Sequence, residues 1–202
     1  MKTKLKSGGE IEMDSIIFFV EGEDDANFIK DYLNHLGLYS KDNHFFIPIM
    51  GWNKLASVDN KFKENTLSNG TNVILFDADE DFSGRQSQVK EIIAQKGMET
   101  KLFLFPNNQE PGSLDELLLN MVNSLKSDIL KCFDSYCLCL ERNPEYGIPG
   151  IKEKIYAYLQ ANNAKCKIGK RNYQDLTIWN LDHDVLKPLK DFLVRIFNPF
   201  VG

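Results

Sequence analysis

Glu21-Gly22-Glu23-Asp24-Asp25 places four carboxylates within five residues, directly behind the apolar run Ile16–Val20. Asp77-Ala78-Asp79-Glu80-Asp81 repeats the crowding directly behind the run that ends at Phe76. Like charges this close disfavour one another, so a cation or a dedicated set of hydrogen bonds has to make them tolerable. In an extended segment residues i and i+2 point the same way. Asp77 and Asp79 can therefore aim at one point while Ala78 turns away, and Glu21 faces that point if the two runs are neighbouring strands. Three hard oxygen ligands without histidine or thiolate describe a Mg²⁺ or Mn²⁺ type of site. Gly22 allows a sharp turn immediately after the strand. The competing reading makes these acids solvated turns and helix starts, and Asp24 or Asp25 suits the N-cap of the helix that follows.

The elements that must hold these residues follow from the hydrophobic pattern. Ser15–Val20, His44–Met50, Asn72–Phe76 and Lys101–Phe105 read as strands, and Asp24–Leu36, Asn53–Phe62 and Gly84–Gln95 as the helices between them. This alternation predicts an α/β fold with a four-stranded parallel sheet flanked by helices, since parallel neighbours need crossover connections. Ligands of such sheets sit beyond the carboxyl ends of the strands, where both acidic clusters fall. After residue 110 the strand pattern mostly stops. Ser113–Val122, Ser127–Glu141, Ile151–Gln160 and Asp184–Phe197 read as helices, and Thr177–Leu181 as a short edge strand. The expected organisation is a disordered lead at 1–13, an α/β core at 14–110 and a mainly helical C-terminal extension at 111–202, packed on the core.

Glu21-Gly22 followed by Asp77-Ala78-Asp79 in the segments VEGEDD and ILFDADED resembles the Toprim domain. That metal-binding, Rossmann-like module is shared by DnaG-type primases, topoisomerases, RecR-type recombination proteins, small RNA-maturation nucleases and OLD-family nucleases. The resemblance covers about half the chain. The later segment LFLFPNNQEPGSLDELLL, residues 102–119, is similar to the OLD-type branch and to small stand-alone Toprim proteins. There a Gly-x-Leu-acid stretch brings a further carboxylate towards the metals, and Asp115 and Glu116 occupy that slot here. An acidic first turn of a helix starting at Ser113 explains the same two residues. The resemblance implies a Mg²⁺- or Mn²⁺-dependent nuclease acting on DNA or RNA, with Glu21, Asp77 and Asp79 catalytic and metal-binding. The alternative it leaves is a non-catalytic metal-binding module that binds nucleic acid or a partner protein. No strand-passing body, priming region, four-cysteine zinc site or Walker A motif is visible, so the ATPase of full OLD nucleases would have to be a separate chain or be missing.

A basic segment, Lys165-Cys-Lys167-Ile-Gly-Lys170-Arg171, is followed by Tyr173 and Trp179. Cations contact phosphates and aromatic rings stack on single-stranded bases, so Lys165, Lys167, Lys170 and Arg171 are candidate nucleic-acid contacts. By the resemblance, one of them would offset charge in the transition state. A solvated loop and a core tryptophan are the plainer reading. The formal charge of −5 is uneven, with 12 basic against 18 acidic residues before position 111. That excludes a broad electrostatic coating of nucleic acid but not a local basic track. Cys132, Cys137, Cys139 and Cys166 make no zinc-type pairing and are expected to be buried free thiols in a reducing compartment. His35, His44 and His183 are far apart in sequence, which argues against histidine or zinc chemistry. No apolar run reaches the roughly 20 residues of a membrane span. The N-terminus lacks the apolar stretch of a secretory signal, so a cytoplasmic protein is expected.

Overall fold

The computed structural model describes residues 15–197, together with the backbone of Lys4–Leu5 and Ile11–Glu12, which pair as an antiparallel ribbon. The lead expected at 1–13 otherwise lies outside the described residues.

Four strands form the sheet: β1 (Ile16–Val20), β2 (His44–Pro48), β3 (Thr71–Asp77) and β4 (Lys101–Phe105). Their order is β2-β1-β3-β4, and every pairing is parallel. The α/β architecture predicted from the alternation is therefore present, and β1 and β3 are neighbours. Val20 pairs with Leu75, which puts residue 21 beside the end of β3.

Successive strand residues point to opposite faces of the sheet, and here both faces are covered. Phe18, Val20, Val73, Leu75, Phe103 and Phe105 pack on one side with α1 (Glu23–His35), α4 (Leu114–Asn120), α6 (Ile151–Ala161) and α7 (Lys187–Phe197). Phe19, Ile74, Phe76 and Leu104 pack on the other, with Phe62 of α2 (Asp59–Leu67) and Val89 of α3 (Phe82–Lys96). Each such fully buried side chain contributes roughly 1.5–3 kcal/mol relative to exposure. The helical C-terminal region shares the first core with α1. Ile155, Tyr158, Trp179, Leu189 and Leu193 are all buried there, and Tyr158 donates its hydroxyl to the Ile178 carbonyl at 2.6 Å.

Three expectations are corrected. The helix predicted over 53–62 is a 3-10 stretch, Trp52–Val58, followed by α2, which runs on to Leu67. The continuation looks polar because its inward residue is Asn65, whose amide donates to Thr71 O and Asn72 Oδ1 at 3.1 and 2.9 Å. Residues 177–181 form no edge strand: Trp179 makes a lone bridge to Val122, and Ile178, Trp179 and Leu181 point into the core. The cysteines are free but not buried. Cys132 and Cys139 are exposed on α5 (Asp128–Leu140), and Cys137 and Cys166 are half-buried. No described helix is long and apolar enough to cross a membrane.

Candidate functional site

Glu21 follows β1 directly, and its carboxylate accepts a hydrogen bond from the Asp77 amide at 3.0 Å. The parallel pairing of β1 with β3 creates this contact, since it sets one strand end beside the other. Gly22, in an extended conformation, then starts α1 without any side-chain cap, so neither Asp24 nor Asp25 is the N-cap. Both lie in the first helical turn, where the helix dipole favours negative charge. Asp77 closes β3, and its Oδ1 accepts from the Leu114 amide at 2.8 Å. That bond, with the paired Asp79–Gly112 backbone bonds of 2.9 and 2.7 Å, staples the Gly112-Ser113-Leu114-Asp115 segment to the acidic strand tip. Gly112 sits at φ 136°, and a Cβ there would collide with the Glu116 carboxylate and the Pro106 ring.

The acids pulled together by these bonds resist ionisation. Removal from water pushes Asp77 well above the ordinary aspartate range, and Asp25 adds to the rise while the Leu114 amide opposes it. Burial raises Asp25 to about 7; its own amide opposes the shift, and the Glu21, Asp115 and Asp24 charges reinforce it. Glu21 is raised first by burial, against the Asp77 amide, with Asp79 adding to the rise. Asp115 is also raised by burial, and Arg171 and Lys152 offset part of the effect. A carboxylate kept from ionising by desolvation and by its neighbours is what a divalent cation would relieve.

Glu21, Asp25, Asp77 and Asp115 line one cavity of about 540 Å³. Asp79 and Glu116 do not join them. Asp79 adopts a left-handed conformation, φ 53°, and forms an ion pair with Arg85, whose guanidinium lies 4.4 Å from the Trp52 ring centre. Glu116 completes a capping box, accepting from the Ser113 amide at 2.6 Å while Ser113 Oγ accepts from the Glu116 amide. Asp79 and Glu116 face a second cavity of about 680 Å³ together with Arg85. The convergence expected of Asp77 and Asp79 fails because the backbone turns at Asp79, which breaks the two-residue alternation of the strand.

The four basic candidates also divide. Lys165, Lys167 and Lys170 are exposed, whereas Arg171 is buried. Its Nη1 lies 3.3 Å from Asp24 Oδ2 and 3.8 Å from Asp115 Oδ1, and its guanidinium stacks 5.3 Å from the Tyr156 ring centre. Tyr173 and Trp179 are core residues, the latter donating Nε1–H to the Asn172 carbonyl at 3.2 Å. The sequence reading missed Lys152 and Tyr156, which line the acidic cavity from α6, and treated Asp25 as a cap. Nothing in the sequence marks Lys152, whereas the crowding of Asp25 with Glu21 was a visible signal.

The donor set of Glu21, Asp25, Asp77 and Asp115 is all oxygen and suits a hard divalent ion. Among the described residues no group of three His, Cys, Asp or Glu side chains is already arranged to hold a metal. Glu21 and Asp77 are turned to backbone amides, so holding an ion requires side-chain rotation. No curated protein and no solved structure matches the chain. Residues 15–198 match DUF3226, a family described as proteins of unknown function, and the chain belongs to that family.

Proposed function

We propose that the protein is a Mg²⁺- or Mn²⁺-dependent phosphodiester hydrolase of the Toprim type, acting on DNA or RNA. The observation that carries this reading is the set of desolvated carboxylates from three separate segments, Glu21, Asp25, Asp77 and Asp115, facing one cavity beside Lys152 and Arg171. Glu21, Asp77 and one or both of Asp25 and Asp115 would hold the ion. A divalent metal there would polarise the scissile phosphate and stabilise the leaving oxygen. Glu21, whose pKa burial raises, lines the cavity and is the group assigned to take the proton. Lys152, rather than the exposed lysines of the basic segment, is placed to offset charge at this site.

Incubating labelled single- and double-stranded DNA and RNA with the protein in Mg²⁺, Mn²⁺ or EDTA tests the proposal. Cleavage that needs the ion and disappears in Glu21→Gln is the expected outcome.

A second reading, a metal-binding module that docks nucleic acid or a partner chain without cleaving, is favoured by one observation. Asp79 is engaged by Arg85 and lines the second cavity, leaving the site short of one expected ligand. Metal-dependent binding without cleavage of any of the four substrates would select it.

A further inference from the structure

We propose that the acidic cavity takes a single phosphate-bearing nucleotide unit, either free or at the end of a strand, with Arg171 as the phosphate-recognising residue. This rests on the metal-site reading above and adds the substrate class. Three independent features point to it.

The first is Arg171 itself. Its side chain is only 4% exposed and lines the cavity, yet its Nε is buried with no hydrogen-bond partner. A guanidinium presents five donors in a fixed fork that matches phosphate oxygens. Asp24 engages one arm, Asp115 stands further off, and Tyr156 holds the plane by stacking. Nε is closed to the cavity and the Tyr173 hydroxyl stands beside the guanidinium, so the terminal Nη groups, of which only Nη1 has a carboxylate within 4 Å, are what remain for a phosphate.

The second is the construction of the strap that carries it. The Gly169 amide donates to Asp24 Oδ1 at 2.7 Å, the Tyr173 amide to Asp31 Oδ2 at 3.1 Å and the Gln174 amide group to Asp31 Oδ1 at 3.0 Å. The segment is thus pinned along two turns of α1. Gly169 is required at φ 71°, where a Cβ would also strike the Glu23 carboxylate. A strap fixed this closely holds the arginine on the wall of the cavity.

The third is the apolar rim. Met50 and Ile168 line this charged cavity while 65% and 58% exposed. With Tyr156 they offer a surface for a base or sugar. The volume of about 540 Å³ lies within the roughly 300–1,000 Å³ of small-ligand sites. It is small for a stretch of duplex. The cavity wall carries six carboxylates against Lys152 and Arg171, so an anion enters only after a divalent ion has neutralised part of that charge.

Calorimetric titration of the full chain with AMP, in Ca²⁺ to suppress turnover and in EDTA, tests this. AMP should bind saturably in Ca²⁺ only. Arg171→Gln should weaken it at least tenfold, and Ile168→Glu, at an exposed position, should weaken it with the melting temperature unchanged. Lys165→Ala should bind as the wild type does. A short single strand with a terminal phosphate that binds tenfold tighter than its hydroxyl-ended form assigns the unit to strand ends. Equal binding of the two strands, with AMP bound, assigns it to free nucleotides. AMP binding that neither Arg171→Gln nor Ile168→Glu alters overturns the inference. So does a failure to bind AMP in a protein whose melting temperature Mn²⁺ raises, and that outcome leaves the metal-site reading standing. Absence of both effects removes both.

Discussion

At the scale of single residues, Glu21, Asp25 and Asp77 are strained by desolvation and by one another, and this strain is measurable. Asp25 has a folded pKa of about 7 against an ordinary 3.8. Such a group contributes stability that is fully present below its unfolded pKa and is lost as pH rises through the folded value. In EDTA the melting temperature should therefore fall as pH is raised from about 5 to about 8. Asp25→Asn should show a shallower fall, and millimolar Mn²⁺ should flatten the wild-type curve by pairing with the ionised acids. Identical slopes for wild type and variant would show that Asp25 ionises freely. In cleavage, loss of a general base typically costs about 10²–10⁴ in rate. Glu21→Gln should fall that far and resist rescue by excess metal, whereas Asp77→Asn should regain part of its activity in high Mn²⁺. Asp115→Asn should lose activity comparably, since Asp115 faces the cavity, while Glu116→Gln should change turnover and stability little, since glutamine fills the same place in a capping box. The sequence made Glu21 and Asp77 legible because strand ends and acid crowding are local patterns. It hid the parting of Asp79 from Asp77, which depends on one backbone angle and on Arg85 six residues away.

At the scale of elements, the strands were readable because each is an apolar run closed by a turn residue or an acid. The strap at 165–174 was not, because its role comes from contacts with Asp24 and Asp31, far away in sequence. Its cations should therefore separate on mutation. Replacing Lys165, Lys167 and Lys170 by alanine should leave the melting temperature unchanged, and if they meet phosphates it should flatten the salt dependence of nucleic-acid binding. Arg171→Gln leaves Asp24 without its partner, and breaking a buried pair in this way costs roughly 3 kcal/mol. Gly169→Ala should destabilise as well, through its positive φ and the clash with Glu23, read as a lower denaturation midpoint. Helix α5 shows the reverse failure of pattern reading. Its cysteines were expected to be buried, yet none of its residues is fully buried and Tyr136 and Leu138 are more than half exposed.

At the scale of the whole molecule, the C-terminal region completes the site. The strand tips bring Glu21 and Asp77, and α1 brings Asp25. Lys152, Tyr156 and Arg171, which close the cavity opposite them, all come from beyond residue 150. The uneven charge of the sequence matches this division only on one side, with surplus acid before residue 111 and near balance after it, Lys152 and Arg171 being among the later cations. Both readings of function depend on one claim, that these carboxylates bind a divalent ion. Titrating metal-free protein with Mn²⁺ and following the free ion by electron paramagnetic resonance tests that claim directly. Saturable uptake by the wild type, weakened at least tenfold in Asp77→Asn, is the result expected here. A wild-type protein that takes up no Mn²⁺, or an Asp77→Asn variant that takes it up equally well, would contradict it.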